Sequence, residues 1–179
     1  LLVVAGPVLV LLDSDRPGIE ASRLDALSND RLFELRIDGV EGEVVGNTAE
    51  LLPAAMARAT VLRTVEIVGV MARALEMAAE HAKTRVQFGK PLGAFQAVQH
   101  RLADMLLDLE GARWSAYRAA WALSRGTCTD REVSVAKAWT ADACQRVAFG
   151  AQQVHGGVGV DLDYDLQLYF RRAKALGFT

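Results

Sequence analysis

Residues 68–84 read VGVMARALEMAAEHAKT, a stretch in which polar and apolar side chains each recur every three or four positions. The polar series is Arg73, Glu76, Glu80 and Lys83. The apolar series is Val68, Met71, Leu75 and Ala78. Because residues three or four apart lie on the same face of a helix, this stretch predicts a long amphipathic helix that ends near Thr84.

Helical patterns continue towards the C-terminus. A second helix is predicted from about Phe95 to Ser124, with Gly126 as its stop. Its inward residues are predicted to be Val98, Leu102, Met105, Leu109 and Ala112. The sequence TDRE at 129–132 fits a capping box, which begins a third helix that the glycines at 156–157 end.

The first 48 residues have a different pattern, which is typical of β-strands. The short apolar runs Leu1–Ala5 and Val8–Leu12 flank a Gly-Pro turn. Residues 32–37 alternate with the period of two that a half-buried strand shows. Turn-forming residues fill 13–18, and the glycines after residue 38 are expected to end the strand signal.

Together these patterns predict a mainly α fold. A fourth helix is predicted over Tyr164–Lys174, and long helices with short connections are typical of an antiparallel four-helix bundle. The bundle is assigned to residues 49–179, and residues 1–48 are assigned to part of a β-barrel or β-sheet domain.

Composition excludes several classes of function. With 20 Lys+Arg against 22 Asp+Glu the net charge is -2, which argues against a nucleic-acid-binding stripe or a polybasic membrane surface. No apolar run reaches the roughly 18 residues of a membrane span, and the first residues lack the features of a signal peptide. Two cysteines cannot build a disulfide framework, so a cytoplasmic setting is expected. The chain lacks an initiator Met, and we expect a piece of a longer protein.

The first segment that could carry chemistry is RVQFGKP at 85–91, between the first two helices. Arg85 supplies a forked, permanently charged cation suited to phosphate oxygens. Phe88 could cover a flat ring, and Gly89 permits a close approach of the backbone. The alternative is an ordinary helix–helix connection, in which Arg85 interacts favourably with the dipole at the helix C-terminus. The spacing alone leaves both interpretations open.

The second segment is QVHGGVG at 153–159. Its glycines expose several N–H donors and admit an anion with no Cβ in the way. It lies at the end of a helix and lacks the Lys-Ser/Thr of a phosphate loop, so it is neither the dinucleotide fingerprint nor a P-loop. A glycine C-cap followed by a flexible connection is the alternative interpretation.

The third segment is FQAVQH at 95–100, where the second helix begins. Gln96 could bind the edge of a base, and His100 could pair with Asp104 one turn later. The alternative is a solvated helix surface.

No metal site is predicted, because the histidines at 81, 100 and 155 are too scattered and neither cysteine lies in a C-x-x-C pair. The three tryptophans, Trp114, Trp121 and Trp139, lie on predicted helices and are predicted to be core residues.

Taken together, these segments resemble the acyl-CoA dehydrogenase family. The resemblance lies in RVQFGKPLGAFQAVQHRLADM at 85–105, in 153–159 and in the helix that follows, and it covers essentially the whole chain. Full members are about twice as long. The resemblance therefore implies that residues 1–48 are the C-terminal part of a middle β domain and that residues 49–179 are the C-terminal helical domain.

The resemblance also implies FAD, bound in an extended form at a subunit interface. Arg85 matches the arginine on the flavin pyrophosphate, with Gln87 and Phe88 lining the same stretch. Gln96 matches the glutamine near the adenine end. The loop that grips the pyrophosphate from the other side is matched by Gln153, Val154, Gly156 and Gly157.

Further partners are implied by the resemblance alone. They are an acyl-CoA substrate, further subunits in a homo- or hetero-oligomer arranged as a dimer of dimers, and an electron-transfer flavoprotein or similar acceptor. The implied setting is lipid metabolism, with fatty acid β-oxidation as its usual form.

The family reaction is α,β-dehydrogenation of an acyl-CoA thioester, in which a glutamate takes the α-proton and the β-hydrogen leaves as hydride to the flavin. The glutamate occupies one of two positions; one corresponds to Ala59 here, and the other lies just after Thr179. The Asp and Arg that many members use around CoA correspond to Ala57 and Thr60, with Arg58 the only charge nearby. No catalytic residue is therefore assigned.

Two interpretations follow. The chain is the C-terminal part of a working dehydrogenase whose base lies just beyond Thr179, or it belongs to a non-catalytic partner in a heteromeric dehydrogenase, of the kind some bacteria use on steroid-CoA side chains. A helical oligomerisation module without flavin is a third interpretation.

Overall fold

The computed structural model describes residues 1–28 and 30–178. The chain divides into two compact units, Leu1–Ala59 and Thr60–Thr179. The first helix begins in one unit and ends in the other.

The first unit is built on short antiparallel strands. They are β1 Leu2–Ala5, β2 Val8–Leu11, β3 Ile19–Leu24, β4 Leu32–Ile37 and β5 Glu43–Asn47. The strands β1, β2 and β5 form one sheet in that order, and β3 pairs with β4 in a separate ribbon. The three strands predicted from the sequence are confirmed.

In the first unit the sequence does not predict β3 and β5, and β5 shows the physical reason. The glycines after residue 38 lead the sequence analysis to expect no further strand. Gly42 instead stands directly before β5, where a Cβ atom would come within 2.4 Å of the side chains of Val10 and Leu12. A glycine here therefore permits a close approach of the backbone to β2, and it does not end the sheet.

Four helices follow the strands, as predicted. They are α1 Thr48–Thr84, α2 Gln96–Ser124, α3 Asp130–His155 and α4 Leu166–Phe178. Between α1 and α2 lie the two-residue strands β6 Val86–Gln87 and β7 Lys90–Pro91 and a 3-10 turn, Leu92–Ala94. The fourth helix begins two residues later than predicted and continues past Lys174.

The helix ends lie where the capping residues direct them. The Thr129 side chain accepts a hydrogen bond from the backbone N–H of Glu132, whose carboxylate accepts one from the N–H of Thr129, so the predicted capping box is present. Gly126, after the end of α2, has a φ of 67°, in the left-handed region that favours glycine.

Cross-helix contacts establish that neighbouring helices run antiparallel. Arg118, late in α2, pairs with Glu132, early in α3. Asp108, earlier in α2, pairs with Arg146, late in α3. The side chain of Lys137 donates to the carbonyl oxygen of Leu176, so the end of α4 lies beside the first half of α3.

Many of the core residues of the helical unit are alanines, and this corrects the prediction for the tryptophans. The residues that α2 buries are Met105, Leu109, Ala112, Ala116, Ala119 and Ala122. Helices that meet on alanines approach closely and leave no space for an indole ring. Trp114, Trp121 and Trp139 are accordingly 67%, 64% and 47% exposed, and the prediction that they are core residues was wrong.

Within residues 1–28 and 30–178, no helix is both long enough and apolar enough to cross a membrane.

Candidate functional site

The connection between α1 and α2 is a tight hairpin with an exposed aromatic tip. Val86 pairs with Pro91 and Gln87 with Lys90, so Phe88 and Gly89 form the turn. Their φ angles are 52° and 79°. For phenylalanine this left-handed conformation costs on the order of 1–2 kcal/mol, and the Phe88 ring is 91% exposed. The protein thus holds a large aromatic ring in the solvent on a strained backbone.

Arg85, at the base of this hairpin, has a fixed backbone and a free side chain. Its N–H donates to the carbonyl oxygen of His81, and its carbonyl oxygen accepts from the N–H of Leu92, both at 2.9 Å. The guanidinium is exposed and pairs with no carboxylate in the part of the chain that the structure describes. By contrast, Arg73 and Arg146 each bind a carboxylate. Arg85 therefore keeps its donors available for an anion from outside the chain.

The second glycine segment forms the C-cap of α3 and a following 3-10 turn, Gly156–Val160. Gly156 has a φ of 66°, and its N–H donates to the carbonyl oxygen of Gln152. A Cβ atom on Gly156 or Gly157 would meet nothing within 4 Å, so both glycines face open space. The C-cap interpretation is confirmed, and it is compatible with an anion that approaches the open side of the turn.

The neighbours of these glycines differ in what they can offer a ligand. Gln153 is exposed, and its amide is available to a ligand. Val154 is buried in the bundle core, so only its backbone could meet a ligand. Gly159 fits tightly, because a Cβ there would lie 3.0 Å from that of His155 and 3.1 Å from the carbonyl oxygen of Gln152.

The two segments lie at the same end of the bundle within one chain. His81, in the last turn of α1, and His155, the last residue of α3, stack with ring centroids 4.4 Å apart and an interplanar angle of 26°. Arg85 follows His81 by one helical turn, and Gly156 follows His155 directly. The stacked rings therefore bring the arginine hairpin and the glycine turn together.

The start of α2 is adjacent to the same hairpin. The rings of Phe88 and Phe95 meet edge to face at 6.2 Å, and the ammonium of Lys90 lies 4.3 Å from the Phe95 ring centroid. Gln96 follows as the first residue of α2 and is exposed. The Gln87 amide donates to the carbonyl oxygen of Val86, so its nitrogen already has a partner.

The predicted pairing of His100 with Asp104 is not present among the described residues. Both side chains are exposed and line an open groove of about 520 Å³ between α2 and α3. The solvated-surface interpretation fits the His100 side chain better.

Burial shifts the pKa values of two titratable groups in the helical unit. Burial, followed by the neighbouring His155 and Arg85, lowers the pKa of His81. Burial raises the pKa of the Cys144 thiol to about 12, so this cysteine is a protonated core residue. In the described residues no three His, Cys, Asp or Glu side chains come together as metal ligands.

The position at which the resemblance expects a catalytic glutamate lies in α1. Ala59 is exposed there, with Ala57 and Thr60 half-buried and Arg58 exposed beside it. None of the four carries a carboxylate. The other expected position, after Thr179, lies outside the described residues. The loop before α4 contains the carboxylate of Asp163. The backbone N–H of Asp163 donates to the carboxylate of Asp161 within that turn.

Comparison with known proteins decides the family. Residues 52–179, which include α2, α3, α4 and all but the first four residues of α1, match the family model of the acyl-CoA dehydrogenase C-terminal domain. The chain belongs to the acyl-CoA dehydrogenase family. Its members are flavoprotein oxidoreductases. The match confirms the resemblance seen in the sequence, and the similar structures confirm the mainly α fold.

Acyl-CoA dehydrogenases from actinobacteria and elsewhere are similar over nearly all of this chain. Acyl-CoA dehydrogenase FadE27 of Mycobacterium tuberculosis is 35% identical over 98% of the chain, which covers 50% of that relative. The acyl-CoA dehydrogenase of Bacillus subtilis is 33% identical over 92% of the chain and 46% of its own length. The chain thus spans about half the length of the curated relatives it matches.

Two similar solved structures each carry the names of two proteins. The Tcur3481-Tcur3483 steroid ACAD G363A variant is 37% identical, with a TM-score of 0.88 over 96% of this chain and 47% of that chain. The ChsE4-ChsE5 complex from Mycobacterium tuberculosis is 35% identical, with a TM-score of 0.85 over 96% of this chain and 47% of that chain.

The sequence predicts both glycine-containing turns of this chain but not the histidine stack between them. The signal was present, because His81 stands four residues before Arg85 and His155 stands next to Gly156. The histidines are too scattered in the sequence to predict a metal site, yet the rings of His81 and His155 meet in the fold.

Proposed function

We propose that this protein is a subunit of an FAD-dependent acyl-CoA dehydrogenase whose helical unit holds the diphosphate of the flavin. The observation that carries the proposal is the placement of an unpaired guanidinium and two open glycines at one end of the same bundle. A diphosphate is doubly anionic and requires an excess of hydrogen-bond donors over acceptors. The Arg85 guanidinium supplies such donors, and Gly156 and Gly157 leave the backbone open to the ligand.

Each proposed site residue has a distinct part in this scheme. The Arg85 guanidinium donates to phosphate oxygens from one side, and the exposed backbone of Gly156 and Gly157 approaches from the other. Gln153 adds an amide donor beside the glycines, while Val154 anchors the segment in the core.

The remaining proposed contacts lie on the hairpin and at the start of α2. Phe88 offers an exposed ring that can cover a flat group, and Gln87 lines the same stretch. Gln96 would meet the adenine end, as the family pattern implies.

The reaction we propose is α,β-dehydrogenation of an acyl-CoA thioester. When bound, the flavin supplies the acceptor for the hydride that leaves the β-carbon. The α-proton needs a carboxylate base, and the methyl group of Ala59 cannot accept a proton. The base therefore comes from elsewhere in the full-length protein or from another subunit.

The second candidate is a non-catalytic, flavin-binding partner in a heteromeric dehydrogenase. The specific observation in its favour is that Ala57, Ala59 and Thr60 stand where the family pattern has charged residues. Both similar solved structures reported above are named as pairs of proteins, which supports the same candidate.

An assembly of several subunits, arranged as a dimer of dimers, is part of the proposal. The exposed side of α2 carries a stripe of large apolar side chains at helical spacing: Leu107, Trp114, Tyr117 and Trp121. Apolar side chains of this size in one stripe mark a surface that another protein covers. Whether that neighbour is a second copy or a different chain separates the homo-oligomer from the hetero-oligomer.

The other parts of the proposal follow from family membership. We propose an acyl-CoA substrate, an electron-transfer flavoprotein or similar acceptor, a place in lipid metabolism such as fatty acid β-oxidation, and a cytoplasmic location. Residues 1–48 are proposed as the end of the middle β domain and residues 49–179 as the C-terminal helical domain.

Expression of the full-length protein, alone and with a candidate partner subunit, tests the proposal. The measurements are bound FAD per protomer and acyl-CoA-dependent dye reduction. We expect bound FAD in the assembled protein. Dye reduction by the protein alone would establish the active enzyme, and dye reduction only with the partner would establish the second candidate. An assembled protein that binds no added FAD would contradict both.

A further inference from the structure

The two halves of the proposed flavin site are attached to one pair of stacked side chains. The backbone N–H of Arg85 donates to the carbonyl oxygen of His81, and Gly156 is bonded covalently to His155. The imidazole rings of His81 and His155 stack at 4.4 Å. The distance between the arginine hairpin and the glycine turn is therefore set where these two rings meet.

His155 is the fixed member of the pair. It is only 6% exposed, and its Nδ1 lies 2.8 Å from the carbonyl oxygen of Ala151. A carbonyl oxygen only accepts hydrogen bonds, so Nδ1 carries the hydrogen and donates it. The ring of Tyr164 lies 5.3 Å away at a tilt of 55°. One hydrogen bond and two neighbouring rings thus hold the His155 ring in one orientation.

The other nitrogen of the His155 ring gives a second reason to assign the ring a stacking role. Its Nε2 is buried and has no hydrogen-bond partner among the residues that the structure describes. The ring packs at the end of a core cluster of apolar residues. A leucine at this position would bury no unsatisfied polar atom. A role in stacking gives a reason for the ring that packing alone does not give.

The tips of the two turns are open. Chain neighbours aside, no described atom lies within 4 Å of where a Cβ of Gly156, Gly157 or Gly89 would stand. On the glycine side, the Gln152 amide reaches the Gly159 carbonyl oxygen at 3.4 Å. A displacement where the turns attach is therefore transmitted to the groups that would meet the diphosphate, and anion sites lose affinity when donors move by about 1 Å.

We propose that His81 and His155 are positioning residues: their stack sets the separation of Arg85 from Gly156 and Gly157 so that both reach one diphosphate. This inference rests on the proposed flavin site. It assigns to the pair no contact with the flavin and no proton transfer, and it requires a ring at position 81 without requiring that the ring titrate.

A matched set of variants of the full-length protein, assembled with any partner it requires, tests the inference. His81→Ala removes the stack, His81→Phe keeps a stacking ring without a titratable group, and His100→Ala removes an exposed imidazole elsewhere in the same unit. The readouts are the Kd for added FAD, the visible circular dichroism of bound flavin and the melting temperature of the flavin-free protein.

We expect His81→Ala to raise the Kd for FAD by about fivefold or more, the size associated with loss of an aromatic pair. The visible dichroism of the flavin should change with it. His81→Phe should stay within about twofold of the wild type in Kd, and so should His100→Ala. The melting temperature shows how much of any change is general loss of stability.

The failure of this inference differs from the failure of the proposed function. If the wild type binds FAD and His81→Ala binds it equally well, the positioning role is wrong. It is also wrong if His81→Phe binds as weakly as His81→Ala. If the wild-type assembly binds no FAD, the proposed function fails and this inference fails with it.

Discussion

At the scale of single residues, the two adjacent glycines of the turn after α3 have different requirements. Gly156 has a φ of 66°, so any side chain there strains the backbone. Gly157 has no such φ, and a methyl group on it would meet nothing within 4 Å. Within the chain itself, Gly157 could therefore be alanine without cost. The absence of a side chain at Gly157 matters only on the open side of the turn, where the diphosphate is proposed to approach.

Gly157→Ala is therefore predicted to separate binding from stability. The melting temperature of the flavin-free protein should stay the same or rise slightly, because the added methyl group also restricts the unfolded chain. The Kd for FAD, measured by fluorescence titration, should rise about fivefold to tenfold, because the methyl group would keep the ligand from hydrogen-bonding distance of the backbone.

Gly69→Ala is the control for this substitution, since Gly69 lies on α1 with equally open surroundings. It should leave the Kd for FAD unchanged. Equal FAD binding by Gly157→Ala and the wild type would mean that the open side of the turn does not receive the ligand.

Sequence alone could identify such residues only where a motif fixes them. Arg85 and the paired glycines stand out because few structures require those residue types in that order. Burial is harder to predict, since it depends on what the facing helix presents. Trp114 seemed suited to a core, yet the alanine-rich seam of α2 leaves it outside. The stacking of His81 on His155 depends on the arrangement of α1 and α3, which no local pattern contains.

At the scale of elements, the end of α1 is predicted to be sensitive to pH. Burial, His155 and Arg85 lower the pKa of His81 in the folded protein. The unfolded chain therefore binds a proton at His81 more readily, since its pKa there is about 6.5. The resulting stabilisation is fully present above that pH and is lost as the pH falls through about 6.5 and below.

Thermal unfolding of the wild type and His81→Phe at pH 7.5 and 5.5 measures this effect. The wild type should lose more melting temperature on acidification than the variant, which has no group to protonate at that position. A loss of equal size in both proteins would show that His81 does not contribute to the pH dependence.

The elements themselves could be predicted to different degrees. Helices α1, α2 and α3 carry strong local signals: a polar stripe, a capping box at Thr129 and a stop glycine at 126. The start of α4 was misplaced by two residues because a turn, 161–165, precedes it without a glycine or proline. Strands β3 and β5 carry weak local signals, because β3 has only two large apolar residues, and Gly42 and Gly46 precede and interrupt β5. Their pairing is non-local, and it is set by the partner strand.

At the scale of the whole molecule, the chain presents surfaces that its own residues do not cover. The β3–β4 ribbon exposes apolar side chains, among them Leu24, Phe33 and Leu35, and α2 exposes its tryptophans. Both surfaces are consistent with a subunit that functions inside a larger assembly. Arg85 belongs to the same group of features, as an exposed cation that pairs with no carboxylate among the described residues.

The most direct test of the central claim is the affinity of the assembled full-length protein for FAD when Arg85 is replaced. Arg125 provides the matched control, because it is an exposed arginine just after α2, at the end of that helix remote from the hairpin. A charge-assisted hydrogen bond contributes about 1.5–3 kcal/mol, so Arg85→Ala should weaken FAD binding by about 10-fold to 100-fold. Arg125→Ala should bind as the wild type does. If Arg85→Ala holds FAD as tightly as Arg125→Ala, the arginine hairpin does not bind the flavin and the account is wrong.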